Sequence, residues 1–257
     1  PPPPPPPPLF FLTHNPASEI LSGLVGSEMC IRDRYKLLLP LLFLIFCLAC
    51  GSNIETNLSS KEIIDSASQK VSSWNSFRFS LDHDKGVTSL SSGLYKLKSV
   101  RGEVVLPRRV KLETNAITFG QLVKLDVVLI DEKSYWTNPI NQKWSEIPGG
   151  ESPFGTFDVS EVILDILENI ENPTKYGDVS GEIQKITGKV EAKVFEPLVG
   201  TAEQGKIADV IISINLKSMN VVSATITGKV NPLDENEVIR IIEIWDVDSE
   251  INVDPPL

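Results

Sequence analysis

Beyond its first few dozen residues the chain carries a single histidine, His83, set between Asp82 and Asp84. Histidine-based hydrolysis needs a nucleophile and an orienting acid within hydrogen-bond reach, and a metal site needs several ligands of the right kind. Flanked by carboxylates alone, His83 reads as a solvated strand end. Two acid pairs, Asp131-Glu132 and Glu235 with Glu237, have the ligand type for Ca²⁺ but lack the loop pattern that spaces its ligands, and they read as turn residues. The sequence has no glycine-rich phosphate loop, no nucleophile elbow and no paired CxxC. This inventory points away from an enzyme and calls for neither a metal nor a cofactor.

The remaining reactive group is a thiol. Tyr35-Lys36 precedes an apolar run from Leu37 to Ala49 that closes on small residues before Cys50. One cation, a short apolar stretch and a small-residue end are the order of a secretory signal, and the stretch falls short of the roughly 20 residues that a spanning helix needs. Cys47-Leu48-Ala49-Cys50 resembles a lipobox, in which the final cysteine becomes the acylated N-terminus. Ala49 fits that pattern, whereas Cys47 and Leu48 depart from it. The expectation is a signal over residues 35–50, lipidation of Cys50 and a polar tether over residues 51–59. Acyl chains contribute about 0.8 kcal/mol per buried methylene, so two or three of them anchor a protein stably. Upstream, Pro1 to Pro8 is a homopolymer, and Leu24 to Arg34 back-translates into a string that resembles a transposase sequencing adaptor. Residues 1–34 are therefore expected to come from sequence assembly.

Roughly 200 residues remain, a length suited to one domain with a sizeable core. All three cysteines, Cys30, Cys47 and Cys50, lie before or at the processing site, so the exported domain must be held by burial alone. The net charge of −10 argues against nucleic acid and against electrostatic adhesion to anionic headgroups.

Local patterns give the elements. Ser59 to Glu62 has capping-box spacing, and Ile63, Ile64, Ala67 and Val71 recur at helical intervals up to Trp74. From Phe77 the period becomes two. Strands are expected from Phe77, over 99–106, 109–114 and 121–130, and briefly at Tyr135-Trp136 and Lys143-Trp144. A second helix opens at Asp158 and ends at Asn172-Pro173. Further strands are expected over 182–190, 209–216, 222–230 and 238–247, with a helical turn near 195–199. Short connections favour antiparallel neighbours. The fold class is α+β: one strongly curved antiparallel sheet, an unclosed barrel, with helices covering its concave side.

The order of these segments resembles the LppX, LprA, LprF and LprG lipoprotein family, whose domain is similar to the carriers LolA and LolB. The most specific stretches are Val127 to Trp136, Gln142-Lys143-Trp144, the helix from Asp158, and Glu182 to Val190 with its Thr187-Gly188 pair. The resemblance spans about 60–248. It implies a half-pipe enclosing an apolar space for acyl chains, binding of acylated lipid or glycolipid, and passage of that cargo through the cell envelope with an envelope transporter as partner. This chain lacks the glycine- and alanine-rich character of better-known members, so the kind of lipid does not transfer.

The expected lining comprises Val123, Leu125, Val127 and Leu129, then Val162, Ile163, Ile166 and Leu167 of the second helix, then Val210, Ile212, Ile214, Val222, Ala224 and Ile226. Leu122 and Val128 suggest that part of the opposite face is covered as well. Trp136 and Trp144 read either as a rim or as a packed pair on adjacent strands. Two other classes stay open: a filled domain that binds another envelope protein, and a hydrolase with a polar cleft around His83.

Overall fold

A computed structural model describes residues 58–90, 93–148, 154 and 157–257. The expected assembly-derived segment, the signal with Cys50, and the tether as far as residue 57 lie outside the described residues. Residues Asn53–Leu257 form one compact unit with a hydrophobic core of its own, as a domain of this length can. Helix α1 (Ser60–Val71) starts at the capping box read from the sequence: the Ser59 hydroxyl accepts the Glu62 amide at 3.3 Å, and the Glu62 carboxylate accepts the Ser59 amide at 2.7 Å. The Ser59 amide and the Ser59 hydroxyl, both donating to its carboxylate, hold Glu62 below the usual carboxylate range. Ile63, Ile64, Ala67 and Val71 form its buried stripe, and Leu58 packs half-buried beside it.

The strands that follow are β1 (Ser76–Lys85), β2 (Thr88–Leu90), β3 (Tyr95–Val105), β4 (Arg109–Thr118), β5 (Gln121–Ile130), β6 (Lys133–Thr137) and β7 (Trp144–Glu146). Helix α2 (Val159–Asn169) leads into β8 (Glu171–Ser180) and β9 (Ile183–Glu191). A tight turn (Ala192–Phe195) and the short α3 (Glu196–Val199) precede β10 (Ile207–Asn215), β11 (Val221–Gly228) and β12 (Val238–Trp245). All twelve strands form one antiparallel sheet in the order β7-β6-β5-β4-β3-β1-β12-β11-β10-β9-β8, with β2 beside β3. β7 and β8 are the two ends and do not pair, so the barrel stays unclosed. The central neighbours β1 and β12 join two meanders, with Phe79 opposite Ile244 and Leu81 opposite Ile242.

Two strands escaped the sequence reading. β8 contains Asn172-Pro173, which had marked only the end of a helix. Being exposed on both faces, it shows no alternation, and as an edge strand it tolerates the missing amide of proline. β2 has three residues, too few for a period. Strands β3 and β4 also run about four residues further than expected, through a register shift between Leu97 and Ser99.

Irregular pairing also interrupts β1 against β12 and β10 against β11, and such bulges bend a sheet. The concave face and both long helices share one apolar cluster. On the convex face Val128, Tyr135 and Val253 form a second, smaller cluster with Trp144 and Ile251, so the C-terminal tail covers part of that side. Leu122 is instead 62% exposed, contrary to expectation. Gly102 stands opposite Phe79, whose ring lies where a Cβ would be: an added Cβ would come within 2.0 Å of Cε1. Phe79 is itself packed near Phe77 and Phe157 and has little room to yield. Gly102→Ala is expected to cost about 1–3 kcal/mol through overpacking, read as a lower urea midpoint with an unchanged m-value.

Candidate functional site

The concave interior draws on every segment expected to line it. Asp158 caps α2, its carboxylate accepting the Glu161 amide at 3.0 Å, and the helix buries Val159, Val162, Ile163, Ile166 and Leu167. The same buried cluster takes in Leu125 and Val127 of β5, Val210, Ile212 and Ile214 of β10, and Ala224 and Ile226 of β11. Of the expected residues, these and the four from α2 are at most 2% exposed, so no void of water size adjoins them. Among the described residues this part of the interior is closely packed by side chains. Val123 and Leu129 pack half-buried against the same cluster. Phe77, Phe79 and Leu81 of β1, Leu97 and Val100 of β3, and Leu112 of β4 complete the lining, none of them expected there.

Val222 does not join them. The pairing of β10 with β11 slips between Ser213 and Ile214, so that Ile214 faces Val221. A bulge reverses the two-residue alternation. Val221 therefore enters the core and Val222 stands half-exposed outside it. Trp136 and Trp144 also part company: Thr137 is the register partner of Trp144, which puts the two rings on opposite faces. Trp136 packs against the main core and Trp144 against the convex cluster.

A buried polar cluster sits at one end of this interior, where an apolar strand had been read. Arg240 of β12 shares the inward face with Val238 and Ile242 and is wholly buried. Its Nη2 meets both Asp234 carboxylate oxygens at 2.7 Å, and its Nε donates to the Thr88 hydroxyl at 2.8 Å. Asp234 also accepts the amides of Val230 and Asn231, both at 3.0 Å. Burial lowers the Arg240 pKa, opposed by Asp234, and among the described residues Nη1 has no hydrogen-bond partner. The signal was present in the sequence: a cation at an inward position of Val-Ile-Arg-Ile-Ile. His83 belongs to this cluster rather than to a solvated strand end. Its Nδ1 lies 2.9 Å from the Lys98 carbonyl and its Nε2 2.8 Å from the Thr88 hydroxyl. Among the described residues no three His, Cys, Asp and Glu side chains converge to hold a metal ion.

The sequence pattern of the LppX_LprAFG lipoproteins matches residues 59–251. The chain belongs to the LppX_LprAFG family. Two solved structures share its fold: LprF from Mycobacterium bovis, at 14% identity and a TM-score of 0.58, and the lipoprotein LppX from Mycobacterium tuberculosis, at 15% and 0.50. The alignments cover 77% of this chain and 96% of LprF, and 76% of this chain and 98% of LppX. Comparison with curated protein sequences gives no significant match. Among the described residues of this LppX_LprAFG member no helix is long and apolar enough to cross a membrane.

Of the Thr187-Gly188 pair that helped mark the family, Gly188 receives the end of α2 and Thr187 ties β9 to β10. A Cβ on Gly188 would meet Ile170 Cγ1 at 2.5 Å and the Glu171 carbonyl at 2.9 Å, so only glycine lets the helix exit approach β9 so closely. The Thr187 hydroxyl donates to the Val210 carbonyl at 3.0 Å. At the other end the Asp158 amide donates to the Pro197 carbonyl at 2.9 Å. The outer side of α2 borders an open polar cleft of about 610 Å³ that includes Glu161, Asp165, Glu191 and Lys193. Partial burial, then repulsion from neighbouring acids, raises the pKa of both Glu161 and Asp165.

Lys98 offers a carbonyl, which only accepts, so Nδ1 of His83 carries the proton and Nε2 accepts from Thr88. Protonating Nε2 would require the Thr88 hydroxyl to turn and accept from both His83 and Arg240, and would add a charge near Arg240. Burial, and next to it the Arg240 charge, push the His83 pKa down, against the Lys98 bond. A group held neutral contributes stability that is complete above its unfolded pKa of about 6.5 and is lost as pH falls from there towards its folded value. The urea midpoint should fall between pH 7 and pH 5, with a flatter profile over that interval in His83→Gln. Equal slopes in the two proteins would remove His83 as the cause.

Proposed function

We propose that this LppX_LprAFG lipoprotein binds the acyl chains of a lipid or glycolipid between α2 and the curved sheet, and carries or presents them in the cell envelope without covalent chemistry. The observation that carries the reading is the match between α2 and the half-pipe. Five apolar side chains of one short helix close a continuous apolar trough. The helix is joined there by dispersion and burial, which are not directional, and is fixed by few polar bonds. A ligand chain that enters exchanges helix-to-sheet contacts for chain-to-helix and chain-to-sheet contacts, so apolar surface stays covered throughout. Burial contributes about 0.8 kcal/mol per methylene, for chain and side chain alike, so the exchange is close to balanced and can run in both directions. That is what a carrier requires. In this reading the lipid on Cys50 holds the domain at a membrane, and an envelope transporter receives or supplies the cargo.

The filled interior favours a second reading, an envelope module that binds another protein through its surface. Native mass spectrometry separates the two. The segment Asn53–Leu257, produced in a bacterial host and incubated with phosphatidylglycerol vesicles, is expected to retain lipid in near-stoichiometric amount. Ile212→Phe, which adds volume to the trough, is expected to lower occupancy at least threefold while circular dichroism confirms the fold. A domain that is empty as purified and takes up no added lipid would overturn the carrier in favour of the interaction module.

A further inference from the structure

Strand directions bring the turns between β4 and β5 and between β6 and β7 to the same end of the sheet. From these turns Phe119 and Ile140 project at 91% and 92% exposed, with Leu122 at 62% beside them. Phe119 occupies a two-residue turn between Thr118 and Gln121 in which φ is 50° at Phe119 and 77° at Gly120. Turns of this kind favour Asn, Asp or Gly, and a bulky side chain is disfavoured there. The position thus carries backbone strain together with an uncovered aromatic ring. The second turn is firmly built. Asn138 Oδ1 accepts the Ile140 amide at 2.9 Å and the Asn141 amide at 3.3 Å, and Gln142 Nε2 donates to the Lys124 carbonyl of β5 at 3.1 Å. Ile140 is held outward.

Charge is segregated at the same corner. The chain has a net charge of −10, yet residues 93–102, 114–125 and 134–145 contain no aspartate or glutamate. The cations nearest the two turns are Lys96, register partner of Ile117, with Lys124 and Lys143, all exposed, whereas Arg101 lies further along β3 opposite Glu113. The first carboxylates further along β4 and β5 are Glu113 and Asp126, the latter 3.7 Å from Lys124. Apolar tips ringed by lysines suit the boundary between headgroups and acyl chains, where the rings and branches enter hydrocarbon and the ammonium groups stay among the phosphates. Convex, separate tips offer a protein partner no groove, whereas a bilayer needs none.

We propose that this end of the domain is a membrane-insertion tip, with Phe119 and Ile140 as its wedges, acting on bilayers that contain anionic lipid. The inference stands apart from lipid carriage, since the tip would dock whether or not the interior takes a chain. The test is flotation of the Asn53–Leu257 segment, which lacks Cys50, with vesicles of phosphatidylcholine alone or with about one third phosphatidylglycerol. Binding to the anionic vesicles is expected, reduced at least tenfold in Phe119→Ser/Ile140→Ser and also reduced in Lys124→Glu/Lys143→Glu. Thermal melting should be unchanged in the serine variant, because both side chains lie outside the core. Failure of the parent to float with either vesicle, or flotation of the serine variant at parental level, would overturn the tip. Self-association of a non-floating parent that the serine variant abolishes would overturn it too, and assign the corner to protein contact. Lipid uptake by the serine variant, measured by native mass spectrometry, tests the carrier separately.

Discussion

A curved sheet with one apolar face cannot exist in water unless something covers that face, and the whole domain is arranged around this constraint. The sheet cannot cover itself, because its ends remain apart. Helices α1 and α2 supply the cover, their buried stripes meeting the sheet and each other in one continuous core. The glycines at 102 and 188 follow from the same demand: each gives up a side chain where an aromatic ring or a helix exit must come against the backbone. The interior is full, but full of groups whose attraction depends on area alone. Such a filling is held without directional bonds, unlike a hydrogen-bonded interior.

The polar cluster at one end is the exception. Arg240 and Asp234 are both shielded from solvent, and a buried pair of this kind is retained at a desolvation cost that apolar side chains would avoid. Asp234 in turn ties down the loop between β11 and β12 through two backbone amides. The end of the trough is thereby fixed in shape while its middle, under α2, is held by burial.

Much of this was legible in the sequence. Capping residues at Ser59 and Asp158 located both long helices, and strict alternation located β5 to within a residue of its observed bounds. Local chemistry dominates at such places. Where pairing partners decide, the reading failed: Val222 obeys the alternation of its own strand, but a bulge set by the neighbouring strand turns Val221 inward instead. β8 is defined by its hydrogen bonds to β9 and by little else, so its sequence carries no burial pattern to detect. His83 was misread because the groups that shelter it, Thr88 and the Lys98 carbonyl, reach it through the fold.

The central pairing of β1 with β12 also governs the order of events in time. The N-terminal half exposes Phe77, Phe79 and Leu81 on a strand whose second neighbour lies more than 150 residues later in the chain, from Lys85 to Ile239. Loop closure over such a distance is slow, and until it happens neither meander has a complete core. A polypeptide built this way completes its central pairing, and with it the core around Phe77, Phe79 and Leu81, only once residues 238–245 have been made.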